Sequence, residues 1–176
     1  MLKTSDLLDP PTGAAPATEA ARLFREGMSH VAAGVHVVTT DGAAGRAGFT
    51  ATAVAPVTDS PPTLLVCANA GGRSARKLHV NGVFCVNALP AGDSALAEAF
   101  AGHAAISGGD RFSLGAWSQL VTGAPALASS LVAFDCRLVD TRRLGTHDVI
   151  IGEVAAVRLG PGGPPLVYFA RGYRTL

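Results

Sequence analysis

From Gly48 to Val54 the chain alternates small residues with hydroxyls, through Phe49, Thr50, Ala51, Thr52 and Ala53. In an extended strand, glycine and small side chains let a flat ring lie close against the backbone, and N–H groups and Thr hydroxyls can meet its polar edge. The same pattern also suits an ordinary half-exposed strand. Asn69 to Lys77 offers a second chemistry: Gly71 and Gly72 lead into a helix start carrying Ser74 and the cations Arg73, Arg76 and Lys77. The free N–H groups of a first helical turn attract anions, so a phosphate suits this segment. A solvated basic helix is the plainer reading. His147 stands beside Gly145 at a strand mouth, where an imidazole can hydrogen-bond a carboxamide or a ring carbonyl, or simply sit in a surface loop. Tyr168, Phe169, Arg171, Tyr173 and Arg174 crowd the C-terminus. They form either an aromatic and cationic wall for a dinucleotide or a last strand packed on the core. Phe112 and Trp117, in the Gly-rich stretch that follows Ser107, either cover a pocket or fill the core.

Other chemistries lack their residues. There is no G-x-G-x-x-G, since Gly42, Gly45 and Gly48 have the wrong spacing, and no P-loop or G-x-S-x-G. The five histidines (His30, His36, His79, His103 and His147) make no tight ligand pair, so no metal site is expected. Cys67, Cys85 and Cys136 are odd in number and widely spaced. They read as small buried hydrophobes in a reducing, cytoplasmic compartment. Fourteen basic and thirteen acidic residues leave a net charge of +1, with no stripe for nucleic acid or a membrane surface. No run approaches the roughly 20 apolar residues of a membrane span, and the N-terminus lacks the apolar core of a secretory signal.

The elements that must position these residues follow from the pattern. Residues 1–20 read as a disordered arm rich in Pro, Ala and Gly, and residues 21–176 as one domain. A helix runs from Thr18 to about Val31, with Phe24, Met28 and Val31 on one face. Strands are expected over Val35–Thr40, Ala47–Val57 with a break at Pro56, Thr63–Ala68, Gly82–Leu89, Leu131–Thr141, His147–Leu159 and Leu166–Phe169. Short helices cover Ser74–Val80 and Asp93 to Ala101, and a loop spans Gly102–Gly123. Seven strands that mostly follow one another predict a mainly β fold, an antiparallel barrel with short helices. A chain 48% hydrophobic and 15% charged has apolar surface to spare, which suggests a homodimer.

Eight segments in this order resemble the flavin reductase family of the FMN-binding split barrel. They are Gly34 to Thr39, Gly48 to Ala51, Pro61 to Leu64, Gly82 to Asn87, Arg111-Phe112, Gly123 to Pro125, Gly145 to Val154 with His147, Gly152 and Glu153, and Pro165 to Tyr168. The resemblance implies a Greek-key-like homodimeric barrel that reduces free or loosely held FMN or FAD with NADH or NADPH. The reduced flavin would diffuse to a separate flavin-dependent monooxygenase. It implies that Phe49, Thr50, Ala51, Thr52 and Ala53 line the isoalloxazine, and that Asn69, Ser74 and Arg73 hold the ribityl chain and phosphate. His147, the catalytic candidate, would contact the nicotinamide, with Tyr173 on the dinucleotide side. The family pattern at this point is Gly-Asp-His. Thr146 takes the place of its Asp, although Asp148 follows His147. A flavin carrier without turnover, or a barrel akin to pyridoxamine-phosphate oxidase, are the alternatives on the same fold.

Overall fold

The computed structural model describes residues 18–102 and 108–176. Helix α1 (Glu19–Ser29) is capped by Thr18, whose side chain accepts from the Ala21 amide. Of the expected arm, Thr18 to Ala20 belong to the start of this helix, and residues 1–17 lie outside the described part. The helix stops at Ser29, short of the expected Val31, and Leu23, Phe24, Met28 and Val31 are all half or more exposed.

Twelve strands follow among the described residues: β1 (Ala33–Gly34), β2 (His36–Thr40), β3 (Ala47–Ala51), β4 (Val54–Asp59), β5 (Pro62–Asn69), β6 (Val83–Ala88), β7 (Trp117–Gln119), β8 (Pro125–Leu127), β9 (Val132–Leu144), β10 (His147–Leu159), β11 (Leu166–Phe169) and β12 (Gly172–Thr175). Helices α2 (Arg73–Asn81) and α3 (Ser94–Ala101) flank β6 in sequence. Seven strands form the main sheet in the order β3-β2-β6-β9-β10-β5-β4, antiparallel throughout. The mainly β architecture is the expected one.

The edges of that sheet are consecutive in the chain. Six gaps of about 4.8 Å would set β3 and β4 about 29 Å apart in a flat sheet. Only Thr52 and Ala53 join them, a reach of about 11 Å. The sheet must therefore curl until its edges meet. The chain break falls at these two residues and not at Pro56, as the composition had suggested. Pro56 is tolerated because β4 is an edge strand.

Period-two alternation then sorts the core. Leu64, Val66 and Ala68 of β5 and Ile150 of β10 point inward to join Val38, Phe84, Val86 and Cys136. The central strands β2 and β6 are buried on both faces. Their other sides meet a second cluster of Val35, Val37, Leu89, Leu96, Phe100, Leu127 and Leu166, and a third around Cys85 and Ala126. The stretch expected to be a loop supplies part of that outer cover, because Trp117–Gln119 and Pro125–Leu127 pair as a hairpin. The expected final strand is likewise a hairpin, β11 with β12, and it pairs with β1.

Asn87, fully buried on β6, fastens this cover. Its Nδ2 donates to the Val37 carbonyl at 3.0 Å and its Oδ1 accepts from the Leu127 amide at 2.7 Å. Asn87→Leu would strand the buried Leu127 N–H. The expected loss is about 2–3 kcal/mol, read as a lower urea midpoint with an unchanged slope.

Candidate functional site

A cavity of about 420 Å³ opens where the barrel edges meet, within the roughly 300–1,000 Å³ range of small-molecule sites. One wall is the run from Gly48 to Ala53, the end of β3 and its two-residue link. Cys67, Ala68 and Asn69 of β5 form the second, and the first turn of α2 the third, with Gly72, Arg73, Ser74 and Ala75. Phe100, Ala101, Gly102, Arg111 and His147 complete it. Phe49, Thr50, Ala51, Thr52, Ala53, Asn69, Arg73, Ser74 and His147, all expected at the site, thus line one cavity. Tyr173 does not: it packs with the Leu166 cluster on β12, its ring 5.5 Å from that of Tyr168. Of the C-terminal aromatics, Tyr173 packs against that core, while Tyr168 and Phe169 stay exposed.

Side-chain hydrogen bonds hold the walls in register. Ser74 Oγ donates to the Gly48 carbonyl at 2.8 Å and pins α2 to β3. Thr50 Oγ1 donates to the Ala97 carbonyl at 2.6 Å and pins α3 to the same strand. The sequence suggested that such hydroxyls would face a ligand. Both hydrogens are instead spent on packing, where they tie α2 and α3 to β3. Gly48 must be glycine for the same reason: a Cβ there would lie 2.6 Å from the Phe100 ring. Asn69 Oδ1 accepts from the Gly71 amide at 2.9 Å and shapes the turn into α2.

That turn leaves the helix end open. Gly72 is the N-cap, with no side-chain cap and no acidic residue in the first turn. The first-turn N–H groups have no partner within the helix, and the dipole adds positive potential toward the cavity. Arg73 and Arg111 stand beside it. A second hollow of about 330 Å³ continues past Gly48, Arg73, Ser74 and Arg111 to Arg46, Lys77 and Phe112. Arg46 lies over Phe112, its guanidinium 5.3 Å from the ring centroid, and is also bonded to Asp41. The site residues expected from sequence did not include Phe100 or Arg46, and Arg111 entered only within the Arg111-Phe112 segment of the resemblance. Phe100 read as helix core, and the two arginines are far apart in the chain. The described rim-side residues of the Gly-rich stretch, Arg111 and Phe112, do border these hollows, and Ser107 lies outside the described part.

His147 opens β10, opposite Asn69 on β5 and Leu144 on β9. Its Nδ1 is 2.9 Å from Thr146 Oγ1. Thr146 thus supplies a hydroxyl partner, and when that hydroxyl donates, Nε2 carries the ring hydrogen. Asp148 cannot serve His147, because adjacent strand residues face opposite ways. Its carboxylate is buried and bonded to Arg143 and to His79 Nε2, the latter at 3.1 Å. Burial alone would raise its pKa, but the Arg143 and His79 contacts outweigh it and hold the carboxyl below its ordinary value.

An apolar-walled slot with an unclosed helix end and flanking cations fits a flat ring carrying a phosphate. Fold and cavity together define a class of flavin-binding barrels, and the comparisons agree. Residues 28–176 match the flavin reductase like domain. The FMN reductase (NADH) RutF of Ancylobacter novellus is 47% identical over 177 residues, covering 100% of this chain and 97% of that protein. The NADH:FAD oxidoreductase SgcE6 of Streptomyces globisporus, solved with NAD and FAD fragments, has a TM-score of 0.81 at 26% identity, over 93% of this chain and 97% of its own. BorF, the flavin reductase component of a bacterial two-component tryptophan halogenase, has a TM-score of 0.81 at 28% identity, over 89% and 98%. The chain belongs to the flavin reductase family. Its activity is the NAD(P)H-dependent reduction of flavin.

The Asp148 environment carries a pH dependence. A carboxyl with a lowered folded pKa binds fewer protons folded than unfolded. Its contribution is present above the unfolded value of about 3.9 and is lost as pH falls through the folded one. Between pH 7 and 3 the thermal midpoint of the native protein should fall more steeply than that of Asp148→Asn, most of the difference arising below about pH 4.

Proposed function

We propose that the protein prefers FMN and NADH, holds flavin loosely between the Gly48–Ala53 wall and the first turn of α2, and delivers it reduced to a separate monooxygenase. Flavin supplies the hydride-accepting chemistry. The chain's residues have to stack two rings with the reacting atoms about 3–3.5 Å apart, and no protein base is needed. In this reading the small-residue wall supports the ring. The first-turn amides of α2, with Arg73, Asn69 and Ser74, hold the ribityl phosphate. His147 hydrogen-bonds the nicotinamide carboxamide at the open side.

The observation that carries the reading is the exposure of the rim. Thr52, Ala53, Asn69, Arg73 and His147 are all exposed around an otherwise preformed slot. Such a site binds flavin without sealing it, as a shuttle requires. The choice of FMN and NADH leans on the printed activity of the RutF relatives, which match at 46–48% identity. A separate flavin-dependent oxygenase as partner agrees with the neighbour BorF, the flavin reductase component of a two-component tryptophan halogenase.

Homodimerisation would cover the apolar side of α1. Leu23, Phe24 and Met28 are exposed there, and the α1 end is tied to the β11–β12 hairpin by Ala170 N–H to the Ser29 carbonyl and by Arg171 to Glu26. Exposed Tyr168 and Phe169 lie on that hairpin. Three free cysteines agree with a cytoplasmic setting, and among the described residues no helix is long and apolar enough to cross a membrane.

Absorbance at 340 nm tests the activity with each nicotinamide and flavin pair. FMN with NADH should give the highest kcat/KM, and no flavin-dependent loss of NADH with any pair would sink the reading. Arg73→Ala should weaken FMN binding about tenfold, the worth of a charge-assisted hydrogen bond, while leaving kcat nearly unchanged. Light scattering should show a dimer that Phe24→Asp converts to monomer.

A further inference from the structure

His79 lies in the last turn of α2, away from the cavity, and side-chain accessibility is 29% for His79 and 4% for Asp148. Its Nε2 is 3.1 Å from Asp148 Oδ2 and its Nδ1 3.4 Å from Thr141 Oγ1. Asp148 immediately follows His147, and the same helix carries Arg73 and Ser74 at its other end. The two sides of the site are therefore joined beneath its floor through one imidazole.

The other contacts of Asp148 do not make this connection. Arg143 is its ladder partner on β9, so that ion pair stays within the β9–β10 hairpin. Ala68 is its partner on β5, again within the sheet. His147 occupies the last register pair of both ladders, where strand ends fray most readily. Asp148, one residue in, is the first rigid point behind it. At its N-terminus α2 is fixed to β3 by Ser74. At its C-terminal turn the polar tie to β10 is His79, alongside the buried Leu78. An imidazole also suits that end of the helix dipole.

We propose that His79 is a positioning residue, whose bond to the Asp148 carboxylate sets His147 against the flavin-holding first turn of α2. The proposal rests on the functional reading above, in which those two elements face the nicotinamide and the flavin. It predicts that removing the imidazole loosens His147 without emptying the flavin site.

The test compares His79→Ala and His79→Gln, the second retaining a side-chain donor. In flavin-free protein, the His147 ring resonances should shift or broaden in His79→Ala and stay near their native positions in His79→Gln. In stopped-flow mixing of FMN-loaded protein with saturating NADH, His79→Ala should reduce flavin about tenfold more slowly, less than a full ångström of misplacement costs. Its FMN Kd should be unchanged, and His79→Gln should recover most of the rate. Native His147 resonances and a native rate in His79→Ala would overturn the proposal, as would equal losses in the two variants. Should His79→Ala not melt cooperatively, His79→Leu takes its place. Failure of both to fold counts against the proposal, because it makes His79 a folding residue. A native protein that never oxidises NADH would refute the functional reading, while the resonances of His147 would still decide the role of His79.

Discussion

The structure turns on a length constraint. Two residues, Thr52 and Ala53, connect the two edge strands of a seven-stranded sheet. A flat sheet cannot satisfy that link, so the sheet curls. Where the edges converge they do not zip into a full ladder: the Ala53 carbonyl takes the Cys67 amide, and β3 runs past β5 without a paired register. A slot remains there instead of a seam. The cavity is thus what an antiparallel sheet leaves when its edges are drawn together without forming a ladder. Gly48 within its wall has to be small because the Phe100 ring approaches there.

The helices convert that slot into a site with direction. Both are bolted to β3 by hydroxyls, Ser74 to the Gly48 carbonyl and Thr50 to the Ala97 carbonyl. The unclosed N-terminus of α2 then meets one end of the slot and the Phe100 ring meets another side. Polarity runs from the cationic end near Arg73 and Arg111 to the imidazole of His147. A flat ligand with a charged tail has a preferred orientation in such a field before any specific contact forms.

The sequence made the fold class and most of the cavity wall legible for one reason. Residues from Gly48 to Ala53, and from Asn69 to Ser74, are contiguous, so each stood out as one segment, and the family resemblance supplied the role that composition left open. Phe100 reaches the cavity through α3 and Arg46 reaches the adjoining hollow through the β2–β3 turn, and no local pattern marks either. Tyr173 lies away from the cavity, and aromatics and arginines near a chain end look alike in sequence whether they face a ligand or a core. The antiparallel pairing of β11 with β12, which turns Tyr173 toward Leu166 and Tyr168, depends on the chain reversing at Ala170 and Arg171. Both have positive φ without being glycine, so nothing in composition announced that turn. The break at Thr52-Ala53 escaped notice for a related cause, since Pro56 is the stronger local signal and an edge strand can absorb it.

Alternation along β10 explains why the departure from Gly-Asp-His at Thr146 need not disturb the site. A carboxylate at that turn would sit on the solvent side, where an ion pair with imidazole is worth little. Thr146 instead offers a hydroxyl to Nδ1 at 2.9 Å, enough to orient the ring. The buried charge of this strand lies one residue beyond His147 and on the opposite face, at Asp148. Hydride transfer between stacked rings asks for orientation rather than proton traffic. If His147 meets the nicotinamide as proposed, a firmly held backbone at 148 serves that contact better than a charged neighbour at 146, and Asp148 is buried and ion-paired there.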